Sequence, residues 1–369
     1  MELDESEDVA RGAAMTMIGI TLGGDILPVR SLVPPPASAA RVYELVRSAD
    51  LALGNFEMPL TDRGTPVQKL LNIRAPAGIA PGVPILGFDV LTIANNHAVD
   101  CGWDGLVDTR EGLQAGGIAV IGIGETRDLA AGPLVREVAG LRIGICAFSC
   151  LTPPGTSAGP DRPGISPIHV ITAYEVDPWY QMEEPGDPSV VRVRTAVRSD
   201  DLDWAAGVVA RTKAECDLVI VTIHWGFGSG ETLADYQMPL ARSLVEAGAD
   251  IVHGHHPHAI HGIGFHMGKP IFFSAGTFIG QQVFLEASPQ VKDLWAAMSP
   301  DGYVAALSVA AHTISEIQLY PTTLDDARLP VLVEGTAAER IGERIARLSA
   351  PLGATVSLSN GVLHVRAID

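Results

Sequence analysis

The sequence predicts an α/β protein, and three observations predict it. Apolar, β-prone runs alternate with amphipathic helical stretches over most of the chain. Five of those runs end in polar clusters built from Asp, Asn, Glu and His. The last cluster, His253-Gly254-His255-His256-Pro257-His258, follows directly on the short apolar run Gly248 to Val252. Sheets of this class gather functional groups beyond the carboxyl ends of their strands, so the five clusters are expected to face one another.

Taken in order, residues 1–14 read as a disordered acidic lead. A first strand over 15–22 ends in Gly23-Gly24-Asp25. After Pro34-Pro35-Pro36, Ser38 is expected to cap a helix over 39–48. The run 50–54 ends in Asn55-Phe56-Glu57, and 88–94 ends in Asn95-Asn96-His97-Ala98-Val99-Asp100. Asp100 is placed to cap the helix expected over 103–115, which precedes a strand over 118–121. Residues 134–138 and 142–148 read as a hairpin turning on Ala139-Gly140. Residues 151–198 carry many prolines and glycines and read as a long loop, either a lid with Trp179 and Tyr180 as a substrate wall or a surface excursion with its own small aromatic cluster. A helix over 201–213 leads to the strand 217–223 and His224-Trp225-Gly226. The amphipathic stretch 235–247, with Gly248 at its end, leads into the histidine cluster. A strand over 270–274 and a hairpin over 302–320 complete a main domain of residues 15–321. Residues 322–369 read as a strand–helix–hairpin extension packed on the same domain, with its turn at Asn360-Gly361.

The net charge of −18 argues against nucleic acid and against an anionic membrane surface as partners. Hydrophobic residues make up 47% and the mean hydropathy is +0.23, which describes a chain able to bury a large core. The four cysteines have no paired zinc spacing, so they read as buried thiols of a reducing compartment. No positive, apolar leader is seen at the amino terminus, and the expected location is the cytoplasm. The oligomeric state is open.

The five clusters mix hard oxygen donors with imidazoles. Asp25, Glu57 and Asn96 suit a hard cation; His224, His256 and His258 suit zinc, iron or manganese. The same histidines can move protons instead, with His97, Asp25, Asp100, His256 and His258 as acid–base candidates. A satisfied core histidine is the rival reading for His224, and Asn55 and Asn96 can be turn formers. His261 and His266 read as surface histidines, and Asp250 and His255 are ambiguous. No phosphate loop or nucleophile elbow is present in the sequence.

Gly24-Asp25-Ile26-Leu27, Asn55-Phe56-Glu57, Ala94 to Gly102, His224-Trp225-Gly226 and Gly254 to His258, in this order, resemble the CapA-like (poly-γ-glutamate capsule) proteins of the calcineurin-like metallophosphatase superfamily. The resemblance covers roughly residues 16–320. It implies a two-layered β-sandwich flanked by helices, with a divalent metal ion (calcium, manganese or zinc) held by Asp25, Glu57, Asn96, His224, His256 and His258. It implies an acid or base role for His97. Asn55, Trp225 and Thr277 are the further candidates for substrate contact. Two departures bear on the site: Leu27 stands where the phosphatases carry a ligand histidine, and Thr277 replaces an asparagine of the family pattern. The sequence also resembles an anchor-free branch of the family, the peptide epimerases of lasso-peptide biosynthesis. That branch implies epimerisation at the Cα of a precursor peptide's C-terminal residue. Hydrolysis of a phosphoester or amide, or capsule-type poly-γ-glutamate biosynthesis, is the alternative.

Overall fold

The computed structural model describes residues 17–368. The expected acidic lead, residues 1–14, lies outside them. The fold is a four-layered α/β/β/α sandwich. Its ten-stranded sheet runs, from one edge, Ala354–Ser359, Val362–Ala367, Thr313–Leu324, Asp301–Ala310, Met17–Leu27, Leu51–Phe56, Val90–Thr92 and Ala119–Ile121. The last four are mutually parallel. Two short strands, Thr277–Gly280 and Pro330–Leu332, pair onto Met17–Leu27 and Thr313–Leu324. The six-stranded sheet runs Ile263–His266, Lys269–Phe272, Ile251–His255, Leu218–His224, Leu141–Ser149 and Leu134–Val138.

Side chains alternate across a strand, so each central strand must satisfy two faces. In Leu218–His224, Leu218 and Ile220 point into the core between the sheets, where they join Ile143, Ile145, Leu53 and Val90. Val219 and Val221 point the other way, into the layer formed with Ala205, Val208 and Leu244 of the helices Ser199–Glu215 and Gln237–Glu246. The larger sheet is covered in the same way by Ala37–Arg47 and Gly102–Ala115. Near-continuous apolar runs are therefore required, and they end where the chain leaves the core.

The segment after residue 321 continues this sheet. Strand Thr313–Leu324 crosses that position, and Val362–Ala367 pairs with it. Helix Gly335–Ser349 buries Ala338, Ile341 and Ile345 against the inter-sheet core. Asn360 and Gly361 both have positive φ, as their two-residue hairpin turn requires.

Three local expectations are corrected. Ser38 lies inside helix Ala37–Arg47, whose N-cap position is Pro36 and which has no side-chain cap. Asp100 does not cap the following helix, which starts from Cys101. Residues 151–198 are not a structureless lid. Val170–Val176 and Val191–Val197 form an antiparallel ribbon, and helix Pro178–Glu183 lies between them. The alternation Val191-Arg192-Val193-Arg194 is the sequence signal for that ribbon, masked by the surrounding prolines.

Candidate metal centre

Asp25 is aimed by the backbone. The register of the first strand shifts on both sides of it, which turns the strand out of its regular pleat. Asp25 N–H donates to Gly276 O at 3.1 Å. That approach requires Gly24, because a Cβ there would stand 1.9 Å from Gly276 O. Asn55 ends the adjacent strand. Its amide nitrogen donates to Asp25 Oδ1 at 2.8 Å and reaches Glu57 Oε2 at 3.3 Å. Asn95 in turn donates to Asn55 Oδ1 and to Phe56 O, which fixes the Asn55 amide. Across the sheet gap, strands Leu218–His224 and Ile251–His255 deliver His224 and His255 side by side, their Nδ1 atoms 2.8 Å apart. His256 and His258 follow with φ of 106° and 48°, a region L-residues rarely adopt. Such strain persists where surrounding structure holds it, and it clusters at functional sites.

These groups surround one point. Glu57 Oε1 lies 3.4 Å from His224 Nε2, 3.5 Å from His258 Nε2 and 3.7 Å from His256 Nδ1. His258 Nδ1 lies 3.1 Å from Asp25 Oδ2. Asp25, Glu57 and His224 are fully buried. Two sets of ligand atoms, Asp25/His224/His255 and Glu57/His256/His258, each lie within 4.8 Å of one another. Burial, reinforced by the neighbouring imidazoles, pushes His224 well below the ordinary histidine range. Burial does the same to His255, and takes His256 down to about 3. Burial therefore favours the neutral form of His224, His255 and His256, which keeps lone pairs to donate. Burial opposes ionisation of Asp25, but the hydrogen bond and charge of His258 outweigh it and hold the carboxyl below its usual range. Burial and the nearby Asp25 push Glu57 well above its own.

The donor set fits a divalent cation. Glu57 Oε1 and His256 Nδ1 are buried without a hydrogen-bond partner, and unpaired buried polar atoms are costly. A cation between them would pair both and neutralise two crowded carboxylates. Neutral imidazoles with carboxylate oxygens, and no thiolate, form a donor set of the zinc or manganese type.

Beside the cluster, His97 Nδ1 meets Asp100 Oδ2 at 2.7 Å. Burial lowers the His97 pKa and Asp100 pulls it back up. Asp100 also accepts from Lys69 Nζ at 2.5 Å and from Ile73 N–H at 2.7 Å. A cleft of about 220 Å³ opens over the site, and Asn96, His97, His256 and His258 face it.

The expected residues thus divide. Asp25, Glu57, His224, His256 and His258 meet in one cluster. Asn96 abuts it, with Oδ1 2.7 Å from His224 Nε2. Thr277 pairs with Asp25 in register, and its hydroxyl lies 3.4 Å from His258 Nδ1. Asn55 is fully buried, bonded to the Asp25 and Glu57 carboxylates, and does not face the cleft. Trp225 is likewise core: its indole donates to Phe273 O at 2.9 Å and packs under Gly254. Trp179 and Tyr180, 76% and 41% exposed, sit on the ribbon's helix and do not line the cleft. Asp250 pairs with Lys213 and Lys269, and His261 is buried against Gly230 O rather than on the surface. Sequence reasoning missed Lys69 and left His255 undecided. Lys69 is one of only four lysines in the chain, which is the signal that marked it.

A two-sheet sandwich with a buried carboxylate–imidazole cluster at its strand ends has the architecture of a metal-dependent enzyme. The chain belongs to the family "Bacterial capsule synthesis protein PGA_cap", which it matches over residues 19–282. Its relatives include the uncharacterized protein y4sH of Sinorhizobium fredii, 28% identical over 99% of this chain and 97% of that one. The PGA biosynthesis protein CapA of Bacillus subtilis is 28% identical over 65% of this chain and 56% of its own length. A probable polyglutamine synthesis accessory protein of Mycobacterium tuberculosis is 26% identical, covering 84% and 75%. A hypothetical protein from Thermus thermophilus superposes with a TM-score of 0.45 at 14% identity, over 82% of this chain and 98% of that one. Among the described residues no helix is long and apolar enough to cross a membrane.

Proposed function

We propose that this chain is a metal-dependent acid–base enzyme acting on a peptide, and that its reaction is epimerisation at the Cα of the C-terminal residue of a ribosomal, lasso-type precursor. The observation that carries the reading is a pair of histidine–carboxylate couples opening on one cleft. His97 is backed by Asp100 at 2.7 Å, and His258 by Asp25 at 3.1 Å.

Epimerisation needs a base on one face of Cα and an acid on the other. Donation of the His97 Nδ1 proton to Asp100 leaves the Nε2 lone pair to accept the Cα proton. His258, oriented by Asp25 and Thr277, returns a proton to the opposite face from Nε2. The Cα–H bond breaks and a new one forms, and the two imidazoles exchange protons with solvent before the next turnover. Of the groups around Glu57 Oε1, His224 and His256 together with Glu57 would hold the cation, and His258 would be left out of the ligand set to act as the acid. When bound, the cation supplies charge stabilisation for the carbanion-like state at Cα.

The test is incubation with a candidate precursor peptide in deuterium oxide. One deuteron at the C-terminal Cα, with no bond cleaved, is the expected result. Release of amine or phosphate without Cα exchange overturns it.

A hydrolase is the second reading, favoured by the two separate ligand sets. It predicts two transition-metal ions per chain, whereas the acid–base reading predicts one.

A further inference from the structure

We propose that the cleft over the cluster binds an amphipathic chain end, an apolar side chain carried next to a free carboxylate. Resting on the peptide reading above, this narrows the substrate class to peptides that end in an aliphatic or aromatic residue.

The cleft lies between two elements that contribute nothing to the metal cluster. One wall is the irregular segment 69–73, which presents Leu71 and Ile73; the other is helix Pro289–Ala296 with Val291, Leu294 and Trp295, extended by Met298. Two apolar groups are left in water at this site, Leu70 at 96% and Leu294 at 42% exposure. At about 220 Å³ the cleft is smaller than the roughly 300–1,000 Å³ of a pocket for a drug-sized ligand. It suits the side chain of one residue.

Among the described residues no Asp, Glu or Arg lines this cleft, and Lys69 is its one ammonium. The Lys69 side chain is only 11% exposed. An ammonium has three N–H donors. One goes to Asp100 Oδ1 at 2.5 Å and one to Asn96 O at 2.6 Å. His97 Nδ1 lies at 3.3 Å, but it also meets, at 2.7 Å, an Asp100 carboxylate that already accepts from Lys69 and Ile73; an acceptor there requires the proton on Nδ1, which leaves no lone pair on that atom for a third bond. The remaining N–H has no acceptor among the described residues, and Lys69 sits on the cleft wall. A ligand carboxylate would complete it through a charge-assisted bond. A γ-glutamyl polymer, with one carboxylate per residue, would place further anions against leucine, isoleucine and tryptophan.

Calorimetric titration of the whole chain, as purified, with three probes tests this. The probes are acetyl-Gly-Gly-Phe, its C-terminal amide, and γ-linked triglutamate. The acid is expected to bind about tenfold more tightly than the amide, the worth of one charge-assisted hydrogen bond. Triglutamate is expected to bind more weakly than both. Lys69→Met should bring the acid to the level of the amide and leave the amide unchanged. Because that variant also disturbs Asp100, the half-exposed Leu294→Ser gives an independent reading: it should weaken acid and amide by the same several-fold factor. Equal binding of acid and amide, tighter binding of triglutamate, or no binding of any probe overturns the proposal. Binding of the acid without Cα exchange overturns only the epimerase reading. Exchange that is equally fast on peptides ending in Asp and in Phe overturns only this one.

Discussion

Glu57 Oε1 and His256 Nδ1 face each other at 3.7 Å in the protein interior, and neither has a hydrogen-bond partner. A cation that binds the folded chain and not the unfolded one stabilises by mass action, about 4 kcal/mol at a free concentration near 1,000 times Kd. Thermal melts with and without EDTA should therefore differ by several degrees. Glu57→Gln should abolish that difference, because the amide removes the ligand charge. An EDTA-insensitive wild type would remove the metal centre from the account.

His97 touches the cleft but lies outside the ligand sets. His97→Gln is expected to cost about 10²–10⁴ in Cα exchange, the usual worth of a general acid or base. Metal content, read by mass spectrometry, should stay at the wild-type value. Loss of metal together with activity would reassign His97 as a ligand.

His253 is buried, with Nε2 2.9 Å from Gly23 O, and burial takes its pKa down to about 4. Between pH 4 and its ordinary value of 6.5 the unfolded chain binds the extra proton, so stability rises with pH across that window. The contribution is complete above pH 6.5 and is lost as pH falls toward 4. His253→Asn keeps a donor for Gly23 O and removes the titration. The stability gap between wild type and variant should narrow by about 3 kcal/mol from pH 7 to pH 4, measured by urea unfolding in EDTA. A gap independent of pH would contradict a neutral buried imidazole.

Gly24→Ala tests the close approach of the first strand to the loop at Gly276. A Cβ at 1.9 Å from a backbone oxygen forces the backbone apart. The expected cost is about 3 kcal/mol, with reduced metal affinity because Asp25 moves. Wild-type stability and metal binding would show that the approach is not required.

The ribbon is anchored at its base by Asp201, which accepts from Arg127 Nη2 and from both His169 N–H and His169 Nδ1. Asp201→Ala leaves these donors unpaired and should destabilise by about 3 kcal/mol. Trp179→Ala, on the exposed helix, should change stability by less than about 0.5 kcal/mol and leave Cα exchange intact. A large loss of exchange in Trp179→Ala would restore the ribbon as a substrate wall.

The sequence by itself determined the layered α/β plan and the five polar strand ends. A strand buried on both faces must be apolar along its length, as Leu218–His224 is, so a polar residue such as His224 marks where it leaves the core. Periodicity reports that one-dimensional fact directly. Only the tertiary structure decided which polar residue does what. Asn55 and Asn96 look alike in sequence, yet one is sealed beneath the carboxylates and the other abuts His224. Trp225 and Trp179 look equally suited to a ligand, yet one is core and the other faces solvent. Lys69 and Trp295, more than 200 positions apart, meet only when the segment 69–73 and helix Pro289–Ala296 close over the cluster. Local pattern specifies which groups leave the core; the packing of distant segments specifies which of them share a cleft.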